Sequence, residues 1–476
     1  MTPRRNPITL LALTLFALVS VAVPPAHAAV YVYSCVLNPR QETPPVAAGP
    51  LGAGRFVIDT DANTVTFRIT FAGLSSAETA AHIHGFAGPG VPAGVVFPLP
   101  LGNPKVGVWN YAEADEANIL AGNTYANIHT TNNPGGEIRG QIVPFNALLD
   151  GAQETPANAT TGKGWATATV DTVLNQISYY LFYEGLTGAP NAGHFHGNAL
   201  QGAPAGVKVG LTVTASPMTG TVSYLEADQD ALLSGRWYLN LHTAANPGGE
   251  IRGQFVPTVI PLDGGQEVGP VAAPGSAGFS LVAIDTLANV LGFDERIAGL
   301  SSSETAAHIH GFASSTQNAG VLLPMALGTQ KLGTWAYGAA SETNVLSGLT
   351  YFNVHTTNNP GGEIRGQIEN LPGAASVLSV GPRVPHAGTL AAAPNPFGVR
   401  TQLTFQLART GNVSMSIVGV DGRVVRHVAA AMFAPGPHTF EWDGRDDSGQ
   451  IAAPGVYFAV VRTAEGAKIT RLARLR

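Results

Sequence analysis

Nine histidines recur at equivalent places in three blocks of this sequence: His82, His84 and His129; His194, His196 and His242; His308, His310 and His355. Each block has a His-x-His pair and a third histidine 45 or 46 residues later, within Asn-x-His. A His-x-His pair on a β-strand points both rings to one face, because side chains alternate with a period of two. A neighbouring strand is enough to bring the third ring to them. Three neutral imidazoles converging on one point make a site for Zn²⁺ or Cu²⁺. Just beyond the third histidine, Asn-Pro-Gly-Gly-Glu-Ile-Arg-Gly-Gln stands at 133–141, 246–254 and 359–367. It puts a carboxylate and a guanidinium on one strand face: Glu137 and Arg139, Glu250 and Arg252, Glu363 and Arg365. Glu137 is placed to orient a ligand histidine from behind, or to pair with Arg139. The same residues also suit a buried polar network that satisfies itself without metal, or a carbohydrate subsite. The residue pattern leaves all three open.

The elements that must carry these residues read as β throughout. Within the first block, Arg55 to Asp59 and Val65 to Ile69 alternate apolar and polar residues around a turn at Asp61 to Asn63, the pattern of a hairpin. Trp165 to Asp171 with Gln176 to Tyr180, and Phe279 to Asp285 with Val290 to Phe293, repeat it. Short helical turns are expected at Ala114 to Leu120, Glu226 to Leu233 and Ser341 to Leu346. Pro-Gly-Gly launches the last strand of each block, glycine supplying the positive φ a tight turn needs. The period of 112–114 residues is too long for a solenoid unit, so each block is expected to be a domain with its own core. The expected divisions are 29–146, 147–259 and 260–371, then a Gly/Ala/Ser/Pro-rich linker over 372–390 and a different module over 391–476. The fold class is all-β: tandem antiparallel sandwiches or Greek-key barrels, then an Ig-like β-sandwich with strands near Thr401, Asn412, His438 and Gly455.

Composition narrows the functional classes. Apolar residues make up 45% of the 476, which argues against wholesale disorder, and 57 Gly with 34 Pro fit many short strands joined by turns. The net charge of −6, with no basic tract away from the extreme ends, makes nucleic acid an unsuitable partner. Arg4 and Arg5, an apolar run from Ile8 to Val23 and Ala26-His27-Ala28 read as a signal peptide over 1–28. No stretch of the mature chain is long and apolar enough to be a membrane-spanning helix. Cys35 is the single cysteine, so each domain must be held by packing without a disulfide. No nucleophile elbow, P-loop or dinucleotide fingerprint is present.

The Gln-Glu openings at 41–42, 153–154 and 266–267, the Ala-His-Ile-His-Gly block, Asn-x-His-Thr and Asn-Pro-Gly-Gly-Glu-Ile-Arg-Gly-Gln together resemble the CHRD domain, the repeated module of chordin. That resemblance implies a β-rich extracellular domain without a defined catalytic activity. A fainter likeness is to copper/zinc superoxide dismutase, which would match His82, His84, His129 and Arg139. That family's fourth copper-site histidine, disulfide and zinc loop have no counterpart here, which puts dismutase chemistry in doubt. Pro394-Asn-Pro-Phe397, Trp442-Asp-Gly-Arg-Asp446 and Gly455-Val-Tyr-Phe458 resemble the FlgD-like Ig module and the C-terminal sorting domain of type IX secretion. The resemblance implies engagement of a secretion machinery and a secreted or bacterial cell-surface location. The expectation is therefore an exported, multidomain and non-enzymatic protein, binding an extracellular protein or glycan or serving as structure. The alternative is a copper- or zinc-binding protein with dismutase-like histidine sites, and a redox activity.

Overall fold

The computed structural model describes residues 30–47, 49–172, 174–369, 371, 390–393, 395, 397–407, 411–419, 423–433, 436–463 and 466–475. The expected signal peptide over 1–28 and nearly all of the expected linker over 372–390 lie outside these residues. In the first block the strands are β1 (Val30–Leu37), β2 (Leu51–Asp59), β3 (Thr64–Ala72), β4 (Glu78–Gly85), β5 (Val95–Pro98), β6 (Lys105–Asn110), β7 (Thr124–Thr130) and β8 (Ile138–Ile142). They form two four-stranded sheets, β1-β2-β3-β6 and β5-β4-β7-β8, with antiparallel pairings throughout. Bridges Ser34↔Val143 and Asn38↔Arg139 bring the first strand to the last, so the sandwich closes along that edge. The other two blocks repeat this order, and in the second the Arg252↔Asp150 pairing joins its sheets into one of eight strands.

Alternation explains the packing. On β3, Val65, Phe67 and Ile69 are buried while Thr66 is exposed. They meet Tyr33, Phe56, Ile83, Trp109 and Ile128 in one core, and each large apolar side chain so buried contributes about 1.5–3 kcal/mol. The β2–β3 turn holds Asn63 at φ +52°, as Asn175 and Asn289 do in the other hairpins. Asparagine tolerates this left-handed conformation better than most residues. The expected helical turns are a 3₁₀ turn followed by Glu116–Leu120, Gln229–Leu233 and Glu342–Leu346. Cys35 is buried, and burial pushes its thiol pKa well up, so it is an inert core residue.

The three blocks close on one another. Their first strands, Val30–Leu37, Phe145–Asp150 and Thr258–Leu262, touch in all three pairings. A separate apolar cluster, with Val36, Ala53, Val259, Phe279 and Leu281, fills the junction. Ion pairs run round the ring: Arg40–Glu184 at 3.0 Å, Arg296–Asp150 at 2.6 Å and Arg68–Asp263 at 2.6 Å. Each joins the first-strand end of one block to the third strand of the next, a head-to-tail contact that closes after three steps.

The tail forms two sheets, Leu390–Ala393/Thr401–Leu407/Gly436–Trp442 and Val424–Phe433/Gly411–Gly419/Gly455–Thr463/Gly466–Arg474. Phe397, Leu403, Met415, Ile417 and Trp442 pack between them, and the Trp442 Nε1–H donates to Arg445 O at 2.8 Å.

Candidate metal centre

β4 carries the His-x-His pair and pairs antiparallel with β7, which carries the third histidine. The register sets His82 opposite Asn127 and Ala80 opposite His129, so the rings meet on one face. His82 Nδ1 and His129 Nε2 lie 3.2 Å apart, as do His194 Nδ1 and His242 Nε2. In each block one ligand atom from each of the three histidines falls within 4.8 Å of the others. Two nitrogens about 2.1 Å from a tetrahedral ion stand roughly 3.4 Å apart, so the closest pair already has a ligand spacing.

In each block two of the three rings commit Nδ1 to a backbone carbonyl. His84 Nδ1 lies 2.9 Å from Ala93 O, and His129 Nδ1 lies 3.0 Å from Pro134 O. A carbonyl only accepts, so these contacts fix Nδ1–H and leave the Nε2 lone pairs facing the cluster. The same holds for His196 on Ala205 O, His242 on Pro247 O, His310 on Ala319 O and His355 on Pro360 O. The Nε2 atoms of His84, His196 and His310 are buried without any hydrogen-bond partner. In the third block His308 Nδ1 and His355 Nε2 are also buried without one. Burial lowers the pKa of His82, His84, His194, His196, His308 and His310, and the neighbouring histidines lower it further. Both effects favour, in these six rings, the neutral form that a cation requires.

The acidic and basic partners are not where the sequence reading put them. Glu137 neither backs a histidine nor pairs with Arg139. It accepts from Ser75 N at 2.7 Å, Ser75 Oγ at 2.9 Å and Thr130 Oγ1 at 2.5 Å, tying the β3–β4 connection to the end of β7. Glu250 and Glu363 do the same with Thr160, Thr187 and Thr243, and with Ser276, Ser301 and Thr356. In Glu250, burial pushes the pKa up, but the surrounding hydroxyls and the Thr187 N–H outweigh it and bring it to about 2.

Arg139 lies 3.4 Å over the Tyr125 ring, and His84 stacks on that ring at 4.9 Å and 4°. The strands flanking β7 supply one each, so the phenol sits between imidazole and guanidinium. Arg252–Tyr238–His196 and Arg365–Tyr351–His310 repeat the stack. The dismutase likeness would set Arg139 at the open face of the ion, but Tyr125 separates it from His84. Its Nη2 donates to Gly88 O and Val91 O, and Gln141 Nε2 donates to Ala87 O at 2.8 Å. The last strand therefore holds the 86–94 segment, whose Ala93 carbonyl sets the His84 tautomer. Tyr125, Tyr238 and Tyr351 were legible as a repeated Tyr-x-Asn-x-His on one strand face. The role of the 86–94 carbonyls had no sequence signal, because any residue supplies one.

The CHRD domain family matches residues 33–142, 145–255 and 258–368, each span holding one histidine triad. This chain is a CHRD-domain protein. Its tail matches the FlgD Ig-like domain over 395–467. Chordin of Danio rerio is 32% identical over 166 residues, covering 29% of this CHRD protein and 17% of chordin. The basal-body rod modification protein FlgD of Salmonella typhimurium is 30% identical over 137 residues, covering 26% of this chain and 55% of FlgD. The chain thus spans about a sixth of chordin and about half of FlgD. Among solved structures, dimeric latent PorU from Porphyromonas gingivalis aligns with 72% of this chain and 36% of its own at 11% identity. Its TM-score of 0.16 establishes no common arrangement. No helix of the described residues is long and apolar enough to cross a membrane.

Proposed function

We propose that this CHRD protein is an exported, non-enzymatic binding protein whose three repeats each hold one divalent transition metal ion, Zn²⁺ or Cu²⁺. The ligands are His82, His84 and His129; His194, His196 and His242; and His308, His310 and His355. One observation carries the reading. In the third repeat three imidazole nitrogens are buried side by side with no partner, while backbone carbonyls take the remaining nitrogens of two of those rings. A bound ion supplies a Lewis-acid centre, and three protein ligands leave a position for a donor from outside. Three equivalent sites on one chain favour a multivalent extracellular partner, protein or glycan, since weak contacts then add through avidity. Export rests on the signal-peptide pattern, and engagement of a secretion machinery on the FlgD-like tail.

The test is metal analysis of the purified mature protein after exposure to zinc and to copper. The expected content is three equivalents per chain, falling to two in the H308A/H310A/H355A variant. Wild-type protein that retains no stoichiometric metal overturns the reading.

A further inference from the structure

We infer that Lys331 and Glu304 of the third repeat join in an amide cross-link, formed by loss of water beside the buried carboxyl group of Glu295. Strand register sets Glu295 opposite Lys331 and Ser280, on the face where Phe293 and Ile297 enter the core. Glu295 is wholly buried, and neither of its carboxyl oxygens has a hydrogen-bond partner. The Lys331 side chain is 1% exposed, and its Nζ lies 2.9 Å from Glu304 Oε1 and 4.0 Å from Glu295 Oε1. Nζ donates to Gly328 O, and Glu304 Oε2 accepts from Gly328 N at 2.8 Å, so one residue anchors both groups. Glu304 Oε1 is buried and, despite the short approach of Nζ, accepts no hydrogen bond. Amine and carboxyl group are thus in contact without being satisfied by it.

The other repeats lack the third group. In strand register Glu295 corresponds to Ile69 and Leu181, and Lys331 to Lys105 and Met218. Glu304 opens its strand as Glu78 does, where the second repeat has Pro190. Lys105 donates to Glu78 Oε1, to Pro100 O at 2.8 Å and to Gly102 O at 3.1 Å, an ion pair with its donors in use. Only the third repeat adds a buried carboxyl group, which a stable core does not need.

Burial pushes the Glu295 pKa up to about 8 against the pull of Lys331, and Glu304 and Asp294 add to the rise, so Glu295 stands protonated at neutral pH. In the condensation Nζ bonds to Glu304 Cδ, and one Cδ–O bond breaks. Nζ gives up two protons, and the departing oxygen leaves with two as water. Glu295 gives its proton to that oxygen and takes one from Nζ, so it ends as it began. An ammonium and a carboxylate hold every atom of the products, and no other reactant is consumed. Fixed contact between reacting groups reaches effective concentrations of about 10⁵–10⁸ M, and burial keeps out the water that would reverse the step. The amide closes residues 304–331 into a loop, as a disulfide would, in a chain whose single cysteine is free. None of the proposed metal ligands takes part, so the cross-link is independent of the metal reading.

Intact-mass spectrometry of the purified mature chain, unfolded in denaturant, tests this. The expected mass is that of the sequence less one water. Cyanogen bromide cleaves after Met325, between the two residues, and fragments 219–325 and 326–415 should stay joined. Lys331→Met and Glu295→Ile put in the residues that the second and first repeats carry at these places, and each should show its full sequence mass. Circular dichroism and the thermal transition establish that both variants are folded, and the wild-type mass decides the matter without them. Wild-type chain at full sequence mass, loss of water retained in either folded variant, or a cross-link at Lys105 overturns the proposal.

Discussion

Glu363→Gln isolates what the Pro-Gly-Gly-Glu turn does. The carboxylate accepts from Ser276 Oγ at 2.5 Å, Ser301 N at 2.7 Å, Ser301 Oγ and Thr356 Oγ1 at 2.6 Å, and Asn359 Nδ2 at 3.0 Å. Glutamine keeps one oxygen and puts an NH₂ where the other stood. The hydroxyls can rotate to accept, but the Ser301 N–H and the Asn359 amide cannot both be served. One lost charge-assisted bond and one donor facing a donor amount to about 2–4 kcal/mol. The ionisation of Glu363 leads to a similar figure. Burial raises its pKa, and the serine and threonine donors outweigh that and bring it from 4.5 to about 2. At about 1.4 kcal/mol per unit, discounted for partial screening at the turn, this is about 2–3 kcal/mol. The sign follows from a depressed folded-state pKa: the stabilisation is present above pH 4.5 and is lost as pH falls toward 2. Denaturant titration at pH 7 and at pH 3 should show a deficit of about 3 kcal/mol that shrinks in acid. Zinc stoichiometry should stay at wild-type level, because Glu363 touches no histidine. An undiminished deficit at pH 3, or lost zinc in a folded variant, refutes this account.

The buried Glu42, Glu154 and Glu267 behave oppositely. Burial pushes each up to about 7 against the pull of Arg139, Arg252 and Arg365 and of nearby amides. Their folded pKa is raised, so stability should fall as pH rises from about 5 to 8, by roughly 1–3 kcal/mol per group; a triple Glu→Gln variant should flatten the thermal-midpoint profile over that range. Gly136→Ala should cost about 2–4 kcal/mol, read by denaturant melting: Gly136 sits at φ +131°, and a Cβ there would meet Asn127 Oδ1 at 2.6 Å and Glu42 Oε1 at 2.7 Å. Arg68→Ala leaves the buried Asp263 without its cation and should weaken the contact between first and third repeats by about 2 kcal/mol. Faster limited proteolysis between repeats would report it.

Much of the fold was readable because strands announce themselves by alternation. Phe56 and Ile58 against Phe67 and Ile69 mark a hairpin with one dry face, and the recurrence of Asn63, Asn175 and Asn289 marks its turn. The convergence of His82, His84 and His129 was also readable, since a period of two leaves few other directions for a His-x-His strand. The task of Glu137 was not. Its distance along the chain from Arg139 suggested a pair, yet its oxygens face Ser75, more than 60 residues earlier, which only the packing of the β3–β4 connection decides. The ring of three repeats was hidden for the same reason: Arg68 and Asp263 carry no mark of being partners.

Internal duplication preserves structural and ligand residues alike, so repetition alone does not separate a metal site from a polar network. The disposition of individual nitrogens bears on that choice. A network selected only for stability would satisfy its buried atoms, since a buried unpaired polar atom costs about 1–3 kcal/mol. Here the Nδ1 atoms of His84, His196 and His310 are satisfied by carbonyls that Arg139, Arg252, Arg365 and their neighbouring glutamines help to position. The matching Nε2 atoms are left bare in all three repeats. Holding one nitrogen so firmly while leaving the other unpaired is costly for a scaffold, and it favours the proposed reading, in which that lone pair is presented to a cation.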